Sequence, residues 1–175
     1  MFRQLVVTAA ISFAYVSALE MLGNPVQYGD LMPEPVKNFM TGFTEQDQAT
    51  LRQFYQNNAN YKSQEEANAA LRAMSPELAA KIQQFQSYIY GQAASLGREA
   101  RAFYDAMDRR TSQTRAQIYS GVMPSPAEMK QTNLEVMKMY RAMSAAGRAD
   151  FANHFPVLGA YFSSDKAYQE LQSMN

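Results

Sequence analysis

Residues 75–89, Ser75-Pro76-Glu77-Leu78-Ala79-Ala80-Lys81-Ile82-Gln83-Gln84-Phe85-Gln86-Ser87-Tyr88-Ile89, carry a helix start and a helix period together. The Ser75 oxygen can take a first-turn N–H, and Pro76 falls at the first helical position, where its missing N–H costs nothing. Leu78, Ile82, Phe85 and Ile89 then recur at steps of four, three and four, which places them on one helix face. The same start signals recur along the chain. Ser63-Gln64-Glu65-Glu66 reads as a capping box, with the serine oxygen on a first-turn N–H and Glu66 reaching back. Ser125-Pro126-Ala127-Glu128 combines that device with the proline. Thr44 precedes Glu45 and Asp47 and then Leu51, Phe54 and Tyr55. Pro33-Glu34-Pro35 precedes Val36, Phe39 and Met40, with Gly42 as a stop. Ser144 and Ser164 offer further caps.

Between these starts the spacing stays helical. Ala100, Phe103 and Met107 share a face, with Ile118 further along. Met129, Val136, Met139, Tyr140 and Met143 line one side of the helix opened by Ser125, and Phe151, Phe155, Leu158 and Phe162 follow. The chain has 26 alanines and 16 glutamines, both compatible with helix, and no β-branched run after residue 18. This predicts an all-α fold: one domain of about seven to nine helices with short connections. The weakest stretch, Arg109 to Pro126, is rich in Thr, Ser and Gln and contains Gly121, which predicts a fraying helix end followed by a loop.

Composition removes several functions. In 175 residues, 16 Lys and Arg balance 16 Asp and Glu, so no cationic surplus exists to bind nucleic acid. With no cysteine and one histidine, disulfides and thiolate sites are impossible and no metal site is expected. The eight glycines form no phosphate cradle. His154, in Asn153-His154-Phe155-Pro156, reads as a helix-end residue meeting terminal carbonyls rather than a catalytic base. Asp105 and Asp108, and the neighbours Glu65 and Glu66, read as solvated helix faces rather than acid/base pairs. The acids three residues after Thr44, Ser63 and Ser125 are accounted for by capping without a kinase. The expectation is a protein that is no enzyme and needs no cofactor.

The first residues read as an address. A basic start at Arg3, 14 uncharged residues from Leu5 to Ala18, and the small-residue site Val16-Ser17-Ala18 predict a secretory signal peptide over 1–18. The run is shorter than the roughly 20 apolar residues of a membrane span. The domain would then occupy 19–175, outside the cell and without a disulfide. At that length burial alone can sustain a fold.

An apolar surplus remains. Met129, Met137, Met139 and Met143 share a helix with Leu134 and Val136, so apolar residues wrap more than one face. Such a helix is buried, or faces a core on one side and a cavity on another, and the spacing admits both.

At this level the chain resembles a family. Leu31-Met32-Pro33-Glu34-Pro35-Val36-Lys37-Asn38-Phe39 and Phe43-Thr44-Glu45-Gln46-Asp47 before Leu51 resemble the opening of the secreted nematode fatty-acid- and retinol-binding proteins. Asn60 to Leu71, followed by Ser75-Pro76-Glu77-Leu78, has the shape of the family's Glu-Glu-Ala helix and its Ser-Pro-Glu-Leu start. Ala73-Met74 stands here where the family has charged residues. Glu99-Ala100-Arg101-Ala102-Phe103 resembles the middle helix. Gly147-Arg148-Ala149-Asp150-Phe151, with Phe155-Pro156 and Phe162, resembles the end. The similarity spans roughly Tyr28 to Phe162. The family is usually rich in Lys and Glu, whereas this chain is rich in Gln, Ala and Met, and Thr111 to Pro124 matches no family pattern.

The resemblance implies a compact wedge-like helical domain with an internal apolar cavity. It also implies extracellular, non-enzymatic binding of long-chain fatty acids and retinol, with transient membrane contact for lipid transfer and a monomeric state. On that reading the tail lies among Leu78, Ile82, Phe85, Ile89, Phe103, Met107, Val136, Met139, Tyr140, Met143, Phe151 and Phe155. Lys81, Lys138 and Arg141 are the head-group candidates. The alternative is a secreted helical interaction module with a solid core and a partner-binding surface. The leader makes the first prediction: mass spectrometry of secreted protein should find an N-terminus near Leu19, and an intact Met1 on extracellular material would end the signal-peptide reading.

Overall fold

The computed structural model describes residues 32–57, 60–122 and 124–173. The expected signal peptide over 1–18 lies outside the described residues. Among the described residues the chain forms nine helices and no strand, in agreement with the all-α expectation. They are α1 (Glu34–Thr41), α2 (Glu45–Gln56), α3 (Gln64–Met74), α4 (Pro76–Ala94), α5 (Arg98–Tyr119), α6 (Pro126–Ala142), α7 (Ala145–His154), α8 (Pro156–Ser163) and α9 (Asp165–Ser173).

The starts follow the capping chemistry read in the sequence. At α6 the Ser125 oxygen accepts from Glu128 N–H at 3.2 Å and Glu128 accepts from Ser125 N–H at 2.7 Å, a complete capping box. At α2, Thr44 and Asp47 exchange the same two bonds, at 2.9 and 3.1 Å. At α3 the Ser63 oxygen accepts from Glu66 N–H, but Glu66 reaches one residue further back, to Lys62 N–H at 2.8 Å. Ser75, Ser144 and Ser164 cap α4, α7 and α9 through the N–H groups of Leu78, Gly147 and Ala167.

The stretch after Arg109 differs from the expectation. No fraying occurs before Ser120: α5 continues through Thr111 and Thr114 to Tyr119, and α6 begins at Pro126. Both threonine hydroxyls donate to carbonyls four residues back, Met107 O and Arg110 O, so they occupy helix-compatible partners instead of competing with the helix. Arg110 is tied to Glu135 of α6, which fixes this end of α5 against its neighbour. Gly121, at φ +83°, makes the left-handed turn that stops the helix.

The buried side chains form two clusters that share α4. Leu51, Phe54, Ala67 and Leu71 from α2 and α3 close over Leu78 and Ile82. Phe85, Ile89 and Ala93, further along α4, join the larger cluster built by α5 to α9. Its centre is aromatic: Phe103, Tyr140, Phe151 and Phe162 stand at ring-centre separations of 4.9 to 6.2 Å, mostly edge to face. Helix α8 is the most enclosed, with Val157, Leu158, Gly159, Tyr161 and Phe162 buried. Phe155 links α7 to α8 and is itself fully buried. α1 lies against α4 through Phe39, which packs on both clusters.

Charged groups outside the clusters hold helix ends. Glu99, in the first turn of α5, accepts from both the N–H and the hydroxyl of Ser144, joining that turn to the start of α7. Those two bonds to Ser144, side-chain then backbone, hold its carboxyl below the ordinary glutamate value of 4.5. Asp150 Oδ2 accepts from Gly97 N–H at 2.8 Å and joins the same two helices. His154, the last residue of α7, places Nδ1 2.9 Å from Asp150 O, the helix-end role read from the sequence.

Two glycines test the packing in opposite directions. A Cβ at Gly159 would stand 2.7 Å from Ala152 Cβ, where α8 crosses α7, whereas one at Gly91 on α4 would meet nothing within 4 Å. Gly159→Ala should therefore cost about 1–3 kcal/mol by overpacking. Gly91→Ala should gain about 0.5–1 kcal/mol by helix propensity. Urea unfolding of both variants checks the pair of signs. The Glu99 bonds give a pH prediction. A carboxyl lowered in the fold adds stability that is complete above its unfolded pKa and disappears as pH falls through its folded one. Glu99→Gln should lower the thermal midpoint at pH 7, and the gap to wild type should close under acid conditions. A gap unchanged down to acid pH would show that the carboxylate charge adds nothing.

Candidate functional site

The residues expected to line a ligand cavity are buried together, divided between the two clusters. Leu78 and Ile82 belong to the smaller one. Phe85, Ile89, Phe103, Met107, Val136, Tyr140, Met143, Phe151 and Phe155 are buried in the larger one, with Met139 partly buried against it. Their spacing on separate helices thus translates into proximity in space. The methionines of α6 fall at different depths: Met137 is fully buried, Met143 closes the helix end in the larger cluster, and Met129 is exposed.

A recess of about 430 Å³ opens where α1 meets α4. That volume falls in the usual range for small-molecule sites. Its walls are Pro35, Asn38, Phe39, Gly42 and Phe43 from α1 and the following turn, and Lys81, Gln84, Phe85 and Tyr88 from α4. Phe39 stacks on Phe85 at 3.9 Å with nearly parallel rings and meets Phe43 edge to face at 4.9 Å. Phe85 lies in the larger cluster while Phe39 touches both, so the recess sits over the seam between them. Phe39, Phe43 and Tyr88 were not among the expected site residues. The signal available for them was aromatic pairing: Phe85 and Tyr88 are three apart on one side of α4, and Phe43 follows Phe39 by four residues, just past the Gly42 stop.

The three head-group candidates have different surroundings. Lys81 lies on the recess wall, with Nζ 2.6 Å from Asp47 Oδ2 and 3.2 Å from Gly42 O. Asp47 is buried. Burial raises its pKa, but the Lys81 and Thr44 bonds outweigh that and hold it below the ordinary aspartate value. Lys81 therefore ties α4 to the α1–α2 turn, and its charge is already opposed by a carboxylate. Arg141 is engaged at the end of α8: its guanidinium donates to Phe162 O, Ser164 O and Asp165, and stands 4.6 Å over the Tyr168 ring. Lys138 is exposed on α6, where its charge helps lower the pKa of Glu135 after Gln131 and Arg110 have done so.

In each acidic pair considered for catalysis, one member is engaged elsewhere. Asp105 pairs with Arg101 at 2.8 Å, and Glu66 serves the α3 cap. Among the described residues no group of three or more His, Asp or Glu side chains is placed to hold a metal ion. No described helix is long and apolar enough to cross a membrane.

Comparison with known proteins gives these features a family. The model described as "Nematode fatty acid retinoid binding protein (Gp-FAR-1)" matches residues 26–174. Fatty-acid and retinol-binding protein 2 of Caenorhabditis elegans is 27% identical over 172 residues, covering 95% of this chain and 94% of that protein. Fatty-acid and retinol-binding protein 1 of the same organism is 26% identical over 142 residues, covering 81% and 78%. Among solved structures, the fatty acid and retinol binding protein Na-FAR-1 from Necator americanus is similar, with a TM-score of 0.57 and 34% identity. That match covers 87% of this chain and 98% of that one. With 149 of its residues inside the family match, and its helices arranged like those of a solved member, the chain belongs to the nematode fatty acid and retinoid binding protein family.

Proposed function

We propose that this chain is an extracellular carrier of long-chain fatty acids and retinol, with no catalytic step. The relatives' names state the ligand classes, and the aromatic recess over the seam is the observation on this chain that carries the reading. On this proposal the recess is the mouth, and the tail passes Phe85 into the apolar interior among Leu78, Ile82, Ile89, Phe103, Met107, Val136, Met139, Tyr140, Met143, Phe151 and Phe155. Entry needs the two clusters to part along α4, which costs contact area but leaves few polar groups to desolvate.

The energetics suit such a carrier. Burying a C16 tail makes roughly 10 kcal/mol available at ~0.8 kcal/mol per methylene. Association and ordering remove much of that, which leaves binding at about the micromolar level. A carboxylate is too costly to bury unpaired and stays at the mouth. There it meets Lys81, and because Asp47 already opposes that cation, the gain over an uncharged ligand is small. At the mouth, therefore, the carboxylate gives a fatty acid little advantage over an uncharged ligand. Secretion and transient membrane contact complete the carrier role and rest on the N-terminal run and the family resemblance.

One observation favours a second reading. The Phe103, Tyr140, Phe151 and Phe162 rings pack on one another at van der Waals separations, as in a solid core that serves only as a platform for a partner protein. Titration with a fatty acid fluorescently labelled at its tail separates the two. A carrier takes the probe up with saturation; a solid bundle leaves it in water. Tyr88→Asp, at the half-buried recess wall, should weaken uptake about tenfold or more by placing a charge on the tail's path. Lys62→Ala, on an exposed side chain away from the recess, should leave it unchanged. Circular dichroism must show both variants helical. A folded Tyr88→Asp protein with normal uptake removes the recess from the path, and a wild-type protein without uptake favours the solid module.

A further inference from the structure

Tyr104 is the buried residue whose chemistry the packing does not use. It lies on α5 directly after Phe103 and one turn before Met107, is 3% exposed, and belongs to the larger cluster. Its ring stacks on Phe155 at 5.7 Å with an interplanar angle of 17°. Its hydroxyl is enclosed and has no hydrogen-bond partner from the described residues. A phenylalanine would make the same stack without stripping water from a hydroxyl. Tyr140, by contrast, sits as deep in the same cluster with its hydroxyl donating to Arg148 O and accepting from Ser163.

The surroundings of that hydroxyl select a ligand. Burial, and then the negative charge of Asp108, push its pKa far above the ordinary tyrosine value, so it stays protonated and can donate. The other groups acting on it are Tyr90, Arg101 and Asp105, and Arg101 is already bonded to Asp105 and to Ala93 O. An incoming carboxylate would face the negative charge of Asp108, while Arg101 is committed to Asp105. An uncharged alcohol meets no such opposition and can both accept from the Tyr104 hydroxyl and donate to it. We propose that Tyr104 is the interior polar anchor for the alcohol group of retinol, and that it discriminates this uncharged ligand from fatty acids. This rests on the carrier reading. The two ligand classes then enter in opposite senses: a fatty acid leaves its carboxylate at the mouth beside Lys81, and retinol sends its hydroxyl inward to Tyr104. Phe85 at the recess and Tyr104 belong to one packed cluster, so on this proposal apolar side chains part to admit the alcohol end as far as the tyrosine.

Tyr104→Phe tests this with three ligands: retinol, its analogue with hydrogen in place of the hydroxyl, and the tail-labelled fatty acid. Retinol affinity should fall about five- to tenfold, the loss of one buried hydrogen bond. The hydroxyl-less analogue and the fatty acid should change by less than about twofold, because the ring and its stack remain. The thermal midpoint of the unliganded variant should equal or exceed that of wild type, because no bond is broken. Equal retinol affinity in both proteins, or parallel losses for all three ligands, would overturn the anchor while leaving the carrier reading in place. A clear drop in the unliganded midpoint would also overturn it, since the hydroxyl would then have a partner before ligand arrives. Failure of wild-type protein to bind either retinol or the fatty acid overturns the carrier reading itself, and the anchor with it.

Discussion

Ile82 and Phe85 are less than one turn apart on α4, yet they bury into different clusters. That division of a single 19-residue helix is the constraint on which the rest of the molecule depends. The first half of α4 holds α2 and α3; the second half holds the α5 to α9 assembly. Besides α4, only lighter ties join the two clusters among the described residues: Phe39 of α1 packs on both, and α5, central to the larger, lays Tyr119 against the smaller. With no disulfide available, cohesion must come from burial alone, and α4 is where the two buried regions become one structure. The recess between α1 and α4 sits over the seam it creates, so the helix that supplies cohesion also shapes that concavity.

The ionic contacts divide along the same line. Lys81 and Asp47 tie α4 to the turn at the recess, whereas Glu99, Asp150 and Arg141 tie helix ends within the larger assembly. Half-exposed pairs such as Arg101 with Asp105 add little in water. The contacts with leverage are those that satisfy backbone groups at helix ends. Glu99 on the Ser144 N–H and Asp150 on the Gly97 N–H are of that kind, and each replaces a lost helical partner.

Local chemistry made much of this fold legible in the sequence. Thr44, Ser63, Ser75, Ser125, Ser144 and Ser164 each cap a helix as expected, because a cap involves residues within three or four positions of one another. The length of α5 was not legible, because Thr111 and Thr114 read as breakers until their hydroxyls are seen to bond within the helix. The apolar candidates such as Phe103 and Phe151 could be named from periodicity, which predicts burial but not what burial is for. The recess and Tyr104 escaped for a different reason. Phe39 and Phe85 are far apart in sequence and meet only through the approach of α1 to α4. A tyrosine suits an interior or a surface equally, so the unpartnered state of the Tyr104 hydroxyl exists only in three dimensions.

The unequal size of the two clusters has a consequence for motion. The smaller one unites α2, α3 and the start of α4 through six buried apolar residues, while the larger joins seven helices, α1 and α4 to α9, around an aromatic centre. Opening free energy scales with the apolar surface a segment must expose, so amide protons in α2 and α3 should exchange through partial unfolding before those of α7 and α8. Such an excursion would free the first half of α4 and loosen the turn that Lys81 holds beside the recess, without disturbing the aromatic centre. The molecule is built as a firm body with a soft shoulder, and the hinge between them is the helix that both share.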